Sequence, residues 1–277
     1  MKFSINELTG IVPNAAEHGT NIDHMLEFCH WFMAALFVGW ITYFFYTVWR
    51  FSAKRNPKAN YYGVTSKASV HLEASVVLLE AVILLGFGLP LWDARVAPES
   101  WPDKDKALRV HAIGEQFAWN FHYPGPDGVF GRQDNHLISA DNPVGLDHTD
   151  PAAADDLVTK GELALEQYRP TVIEISSKDV IHSLSLHPMR MTQDAIPGSV
   201  IPMWFRPVKA GEFEIVCAQL CGANHYAMKA MMTTYPKAEF EAWQKEKLDL
   251  KKGAAPAPAP VAQVPSGFDQ LAQASAK

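Results

Sequence analysis

From Phe28 to Trp49 the chain carries no formally charged residue, and the run of Trp31, Leu36, Val38, Trp40, Ile41, Phe44, Phe45 and Val48 can cross a bilayer as one helix. A second apolar run, Ala74 to Trp92, is interrupted only by Glu80 and closes with Asp93 and Arg95. The competing reading for runs of this kind is a buried helix in the core of a soluble protein. Between the two runs stand Arg50, Lys54, Arg55, Lys58 and Lys67, with no acidic residue before Glu73. The positive-inside rule places that segment in the cytoplasm. Two crossings return the chain to the side on which it started, so both ends and everything beyond the second run are expected outside the cytoplasm. The organisation read from these features is an extracytoplasmic N-terminal segment (1–23), a transmembrane hairpin (24–95), an extracytoplasmic domain (96–252) and an Ala/Pro-rich flexible tail (253–277). The first segment is polar and has no apolar core of a secretory signal.

A carboxylate within a bilayer costs roughly 2.5 to 3.5 kcal/mol on insertion scales, so Glu80 calls for a polar contact. Glu73 and Glu80 are spaced i, i+7, which puts them within about 20° of one another around a helix. That shared stripe is expected to face a partner subunit and not lipid.

Beyond Trp92 the period changes from helical to alternating. Residues 107–123, 170–186 and 212–217 carry alternating stretches separated by Gly and Pro, which read as an antiparallel β-sandwich. Between Asp127 and Asp179 acidic residues outnumber basic ones, and 147–166 reads as a solvated Pro/Ala/Asp-rich insertion. The net charge of −6 argues against nucleic-acid binding and permits a basic protein partner. Pro236 to Trp243, with its spaced aromatics, reads as a short surface helix.

The chemistry concentrates in one loop, Val216-Cys217-Ala218-Gln219-Leu220-Cys221-Gly222-Ala223-Asn224-His225-Tyr226-Ala227-Met228. Thiolate, thiolate, imidazole and thioether in the order Cys-x3-Cys-x3-His-x2-Met form a soft donor set suited to copper. Cys221, His225 and Met228 alone would make a mononuclear blue-copper loop. Cys217 adds a second thiolate, and two facing thiolates can bridge two copper ions. Each ion then needs its own imidazole: His225 supplies one, and His182, in a β-branched run upstream, is the candidate for the other. A structural zinc site would leave Met228 idle, and a Cys217–Cys221 disulfide would leave both His225 and Met228 unexplained.

His182, Cys217, Cys221, His225 and Met228, with Asp194-Ala195-Ile196-Pro197-Gly198 between them, closely resemble subunit II of haem-copper cytochrome c oxidases, over about residues 25–250. The resemblance implies a two-helix membrane hairpin followed by an all-β, cupredoxin-like Greek-key sandwich bearing a binuclear CuA centre. By the family pattern Cys217 and Cys221 bridge the coppers, and His182 and His225 each bind one. Met228 is a weak axial ligand and the Gln219 backbone carbonyl the other. Glu73 matches a glutamate at the cytoplasmic mouth of a proton path into subunit I; at Glu80 the family pattern has proline, and a helix–helix contact is the reading for it. The segment Gly114-Glu115-Gln116-Phe117-Ala118-Trp119 aligns with the aromatic segment through which electrons enter. Phe117 stands where the family has the receiving tryptophan, and Trp119 matches the second aromatic. Both also fit plain sandwich aromatics. Asp194 reads as a hydrogen-bonding residue of its turn and not as a ligand.

The partners implied are oxidase subunit I and other oxidase subunits, membrane lipids, and a c-type cytochrome that is soluble, tethered or membrane-bound. The implied location is the bacterial inner membrane or an equivalent respiratory membrane. The magnesium or manganese ion shared with subunit I is not expected, because an amide, Gln219, replaces the family's acidic side chain. No Cys-x-x-Cys-His is present, so no covalent haem is expected on this chain. The alternatives are the CuA subunit of a nitric oxide reductase and a copper- or zinc-binding membrane assembly factor; a quinol oxidase is disfavoured because such relatives lose the copper ligands.

Overall fold

The computed structural model of the chain describes residues 5–58, 60–63 and 65–253, so most of the Ala/Pro-rich tail lies outside the described residues. A short helix α1 (Ile5–Leu8) precedes α2 (Gly19–Arg50). The chain turns at the cationic segment, where the Arg55 guanidinium lies 4.1 Å over the Trp49 ring, and returns through α3 (Ala68–Ile83) and α4 (Leu89–Val96). A π-helical turn, Leu84–Gly88, joins α3 and α4 without breaking the span. Its cause is local: Pro90 has no N–H to give to the carbonyl four residues back, and the widened turn absorbs the mismatch.

The apolar windows of both spans have none of their residues buried. A soluble core helix would be covered, and a helix that is apolar all round and left bare requires lipid or a partner. Near the domain end of the hairpin the spans meet at Phe28 and Phe87, whose rings are 6.3 Å apart.

The remaining chain folds into two five-stranded sheets packed face to face. One has the order β3-β2-β1-β5-β8, built from β1 (Leu108–Glu115), β2 (Ala118–Tyr123), β3 (Leu157–Lys160), β5 (Thr171–Ser177) and β8 (Ile201–Phe205). The other has the order β4-β10-β9-β6-β7, from β4 (Glu162–Glu166), β6 (His182–Leu186), β7 (Met191–Ala195), β9 (Gly211–Cys217) and β10 (Lys229–Tyr235). Along β1, Leu108, Val110, Ala112 and Gly114 face the core while Arg109, His111, Ile113 and Glu115 face outward, as a sheet with one covered side requires.

Three expectations need correction. The sandwich is not purely antiparallel: β1 pairs with β5, and β10 with β4, in parallel, because the chain enters β4 and β5 each by crossing from the other sheet. The stretch 147–166 is not solvated throughout. Leu157, Leu163, Ala164 and Leu165 are buried in β3 and β4, and Gly161, at φ +72°, makes the sharp reversal that carries the chain from one sheet to the other. Even the acidic Asp156 is buried, accepting from Gly131 N–H at 2.8 Å and lying 2.6 Å from His122 Nε2. Lastly, the C-terminal helix α5 runs from Lys237 to Gly253 and packs as part of the domain. Phe240 and Trp243 are buried, the Trp243 ring lies 5.5 Å from Tyr123, and its Nε1 donates to Glu162 at 2.8 Å.

The N-terminal segment is also part of the sandwich. Ala15 and Ala16 are fully buried; Ala15 N–H donates to Pro188 C=O, and Val208 N–H to Ala15 C=O, both at 2.8 Å. Asp23, early in α2, receives two bonds from Arg190 at 2.6 and 3.0 Å. At the other helix the Arg95 guanidinium stacks 3.8 Å over the Trp204 ring, and the side chain of each donates to the main-chain carbonyl of the other. Between these two anchors burial and the guanidinium groups of Arg95 and Arg190 push His18 down to about 4, leaving it neutral near pH 7.

Replacing Trp243 by alanine removes a buried indole from between α5 and the sheets and should lower the stability of the domain by about 3 kcal/mol or more. Denaturant unfolding of the full chain in detergent, followed by near-ultraviolet circular dichroism, measures this; an unchanged midpoint would mean that α5 does not dock.

Candidate metal centre

The centre forms where β6 starts and β9 ends. These strands are neighbours, with Leu184 opposite Cys217 and Ser185 opposite Val216, so His182 at the start of β6 lies beside the last residue of β9. Ala218 N–H donates to Ser183 C=O at 3.0 Å and Cys217 N–H to Met228 C=O at 3.2 Å, which closes the loop on itself before β10 begins. Gly222 adopts φ +133°, a conformation that side-chain-bearing residues rarely reach, and lets the loop turn between Cys221 and His225.

Six donor atoms follow one another without a gap. The two sulfurs of Cys217 and Cys221 are 3.9 Å apart; His182 Nδ1 lies 3.9 Å from the first, and the Gln219 carbonyl oxygen 3.2 Å from it. His225 Nδ1 lies 3.5 Å and Met228 Sδ 3.7 Å from the second. Cys217, Cys221, His182 and Met228 are buried. The sulfur separation is far beyond the roughly 2.05 Å of a disulfide, and both cysteines are free thiols. Two thiols flanked by two imidazoles and a thioether match copper better than zinc, which has no use for the thioether. Burial, and then the neighbouring Cys217, push the Cys221 thiol up to about 11. The Cys221 sulfur therefore keeps its proton near pH 7 until a cation displaces it.

His182 is oriented from two sides. Its Nε2 lies 2.8 Å from Asp179 Oδ1, which leaves Nδ1 for the sulfurs. Its ring stands edge-on to Trp119 at 5.9 Å, and the bare backbone of Gly114 lies over it, so that a Cβ there would fall 2.9 Å from His182 Cδ2. Although burial works against its charge, Asp179 is held below the usual carboxylate range by the N–H groups of Gln116 and Val180 and by His182.

The structure thus brings together His182, Cys217, Gln219, Cys221, His225 and Met228, and leaves other sequence candidates apart. Asp194 is exposed on β7, opposite Ser183; the carboxylate on the imidazole is Asp179. Trp119 is fully buried between the sheets, while Phe117 is partly buried against the core and Gly222. Glu73 and Glu80 are exposed on α3, outside the donor cluster, and their carboxylates make no hydrogen bond or ion pair among the described residues. Sequence reading passed over Asp179, although its spacing of three residues before a ligand histidine was a usable signal. It also passed over the exposed Leu220 and Tyr226, which flank the ligands and are 77% and 79% accessible.

Replacing Asp179 by alanine frees the His182 ring, and copper affinity should fall about 10-fold or more, as for other groups that orient a ligand histidine. Competition with a chelator of known affinity measures this; an unchanged affinity would assign the orientation of His182 to its packing alone.

Residues 108–235 match the family model described as the periplasmic domain of cytochrome c oxidase subunit II. The alternative cytochrome c oxidase subunit 2 of Bradyrhizobium diazoefficiens is 33% identical over 223 residues, covering 80% of this chain and 78% of that protein. Cytochrome c oxidase subunit 2 of Cereibacter sphaeroides is 25% identical over 247 residues, 85% of this chain and 78% of that one. Among solved structures, the periplasmic domain of subunit II of the Bradyrhizobium japonicum cytochrome oxidase is 26% identical and covers 55% of this chain and 99% of its own, at a TM-score of 0.40. With a bare helical hairpin, a cupredoxin-like sandwich and relatives of this extent, the chain belongs to the cytochrome c oxidase subunit II family, as one component of a haem-copper oxidase and not a complete enzyme.

Proposed function

We propose that this chain is the electron-entry subunit of a respiratory haem-copper oxidase of the bacterial inner membrane or an equivalent membrane, and that its loop holds a binuclear CuA centre. The observation that carries this reading is the central pair of free sulfurs, 3.9 Å apart, with one imidazole beyond each. Copper held there by Cys217, Cys221, His182 and His225, with Met228 and the Gln219 carbonyl beside them, would supply one-electron transfer. The protein's contribution is to hold the donors still. His182 is fixed by strand β6 and Asp179, and the other four side-chain and carbonyl donors after Cys217 are fixed by one closed loop, so little rearrangement accompanies a change of charge.

The donor in this reading is a c-type cytochrome, and its docking surface is the exposed rim of Leu220 and Tyr226, with Phe117 behind it. Trp119, buried against His182, serves as packing and as a short bridge inside the domain rather than as a contact for the donor. The acceptor is the haem-bearing subunit I, where oxygen is reduced to water and protons are translocated. The hairpin presents its Glu73 and Glu80 stripe to that subunit, with Glu73 at the proton entrance. At Gln219 the amide offers a poor ligand to a hard cation, so the centre works without a magnesium or manganese neighbour on this chain.

The full chain in detergent, loaded with copper, should contain two coppers sharing one unpaired electron by paramagnetic resonance. Cys217→Ser should abolish that shared signal and leave at most a mononuclear one. A single copper, or zinc, in the unaltered chain would defeat the reading.

A further inference from the structure

Outside the ligands themselves, Gln116 bonds both to the carboxylate that holds His182 and to the main chain of Cys221. Gln116 lies in the tight turn between β1 and β2, and is not part of the copper loop or of strand β6. Its backbone N–H donates to Asp179 Oδ2 at 2.7 Å, and the other oxygen of that carboxylate lies 2.8 Å from His182 Nε2. Its side-chain amide donates to the carbonyl oxygen of Cys221 at 2.6 Å, on the opposite half of the centre. The fit there is close: a Cβ on Gly222 would fall 2.7 Å from Gln116 Nε2, so glycine at that position keeps the path of the amide clear.

We infer that Gln116 is a positioning residue that sets the spacing between the His182 arm and the Cys221 arm of the centre. The physical reasoning is one of shared attachment. His182 belongs to β6 and Cys221 to a loop after β9, and each could drift within its own element. A single residue bonded to Asp179, and through it to His182, by a main-chain donor, and to Cys221 by a side-chain donor, converts two independent placements into one. Glutamine suits the task because it carries a neutral donor on a side chain long enough to reach a main-chain carbonyl. A carboxylate of the same length would present an acceptor to an acceptor. Because Gln116 is itself exposed and fills no core space, its replacement tests placement and not packing.

The inference rests on the copper reading above, and its test separates the two. Two variants retain the length of the side chain: Gln116→Met removes the donor, and Gln116→Glu reverses its polarity. In the metal-free full-length chain in detergent, alkylation of Cys221 by iodoacetamide, located by peptide mass mapping, should become several-fold faster in both. In the copper-loaded chain, pulsed paramagnetic resonance should show altered nitrogen couplings for both imidazoles, His182 included, although the Gln116 side chain does not touch it. Copper affinity should fall about 10-fold, the low end of the range for supporting groups. A merely structural contact would lower the unfolding midpoint and leave the His182 coupling in place. Unchanged Cys221 alkylation together with an unchanged His182 coupling overturns the inference. Should Gln116→Met fail to fold, Gln116→Glu carries the same test. Failure of the unaltered chain to take up copper would defeat the electron-entry reading, and the alkylation rates would still decide the role of Gln116.

Discussion

Two thiols brought within 3.9 Å of each other in a buried place, and kept from joining, are the constraint on which this domain depends. Left alone, such a pair would tend to oxidise or to move apart. Here one thiol ends strand β9 and the other sits four residues on, in a loop sealed by a main-chain bond from Cys217 to Met228. The strand fixes the first sulfur and the closed loop fixes the second. Much of the surrounding sandwich can be understood as the support for that arrangement: β6 delivers an imidazole to one side, Gly114 makes room for it, and Asp179 chooses which nitrogen faces inward.

The same economy of attachment explains why so many contacts converge on the β1–β2 turn. Its residues reach the start of β6 through Asp179 and the copper loop through Gln116, and Phe117 packs against Gly222. A centre whose donors come from separate elements is only as rigid as the connections between those elements. The Gln116 amide on the Cys221 carbonyl adds rigidity from a neutral side chain, while the Asp179 carboxylate on the His182 ring fixes its orientation.

Much of the centre could be read from the chain because its donors are chemically rare and close in sequence. Cys217, Cys221, His225 and Met228 fall within one loop, and the two membrane spans announce themselves by length and lack of charge. What escaped were features whose meaning depends on tertiary position. Asp156 counts as one more acid in an acidic stretch until its carboxylate is seen buried beside His122, and Leu163-Ala164-Leu165 is too short to stand out from the polar residues before it. Asp194 and Asp179 are both acids near a ligand histidine. Only the pairing of β6 with β7 shows that the first points to solvent and the second to the ring. The π-helical turn before Pro90 and the long docking helix α5 likewise depend on what lies around them.

The lacing of the N-terminal segment into the sandwich has a consequence for how such a protein can be made. Ala15 occupies a slot between Pro188 and Val208, in inter-strand connections that are synthesised long after it, and Asp23 waits for Arg190. The segment from Ala15 to Asp23 must therefore already be on the domain's side of the membrane when residues 188–208 arrive there. Completion of the copper domain is in this way conditional on a correctly inserted hairpin: a chain threaded with its N-terminus left in the cytoplasm would lack a piece of its own β-structure. A soluble fragment begun after the second span would carry the same empty slot, with the Pro188 carbonyl and the Val208 N–H left to water.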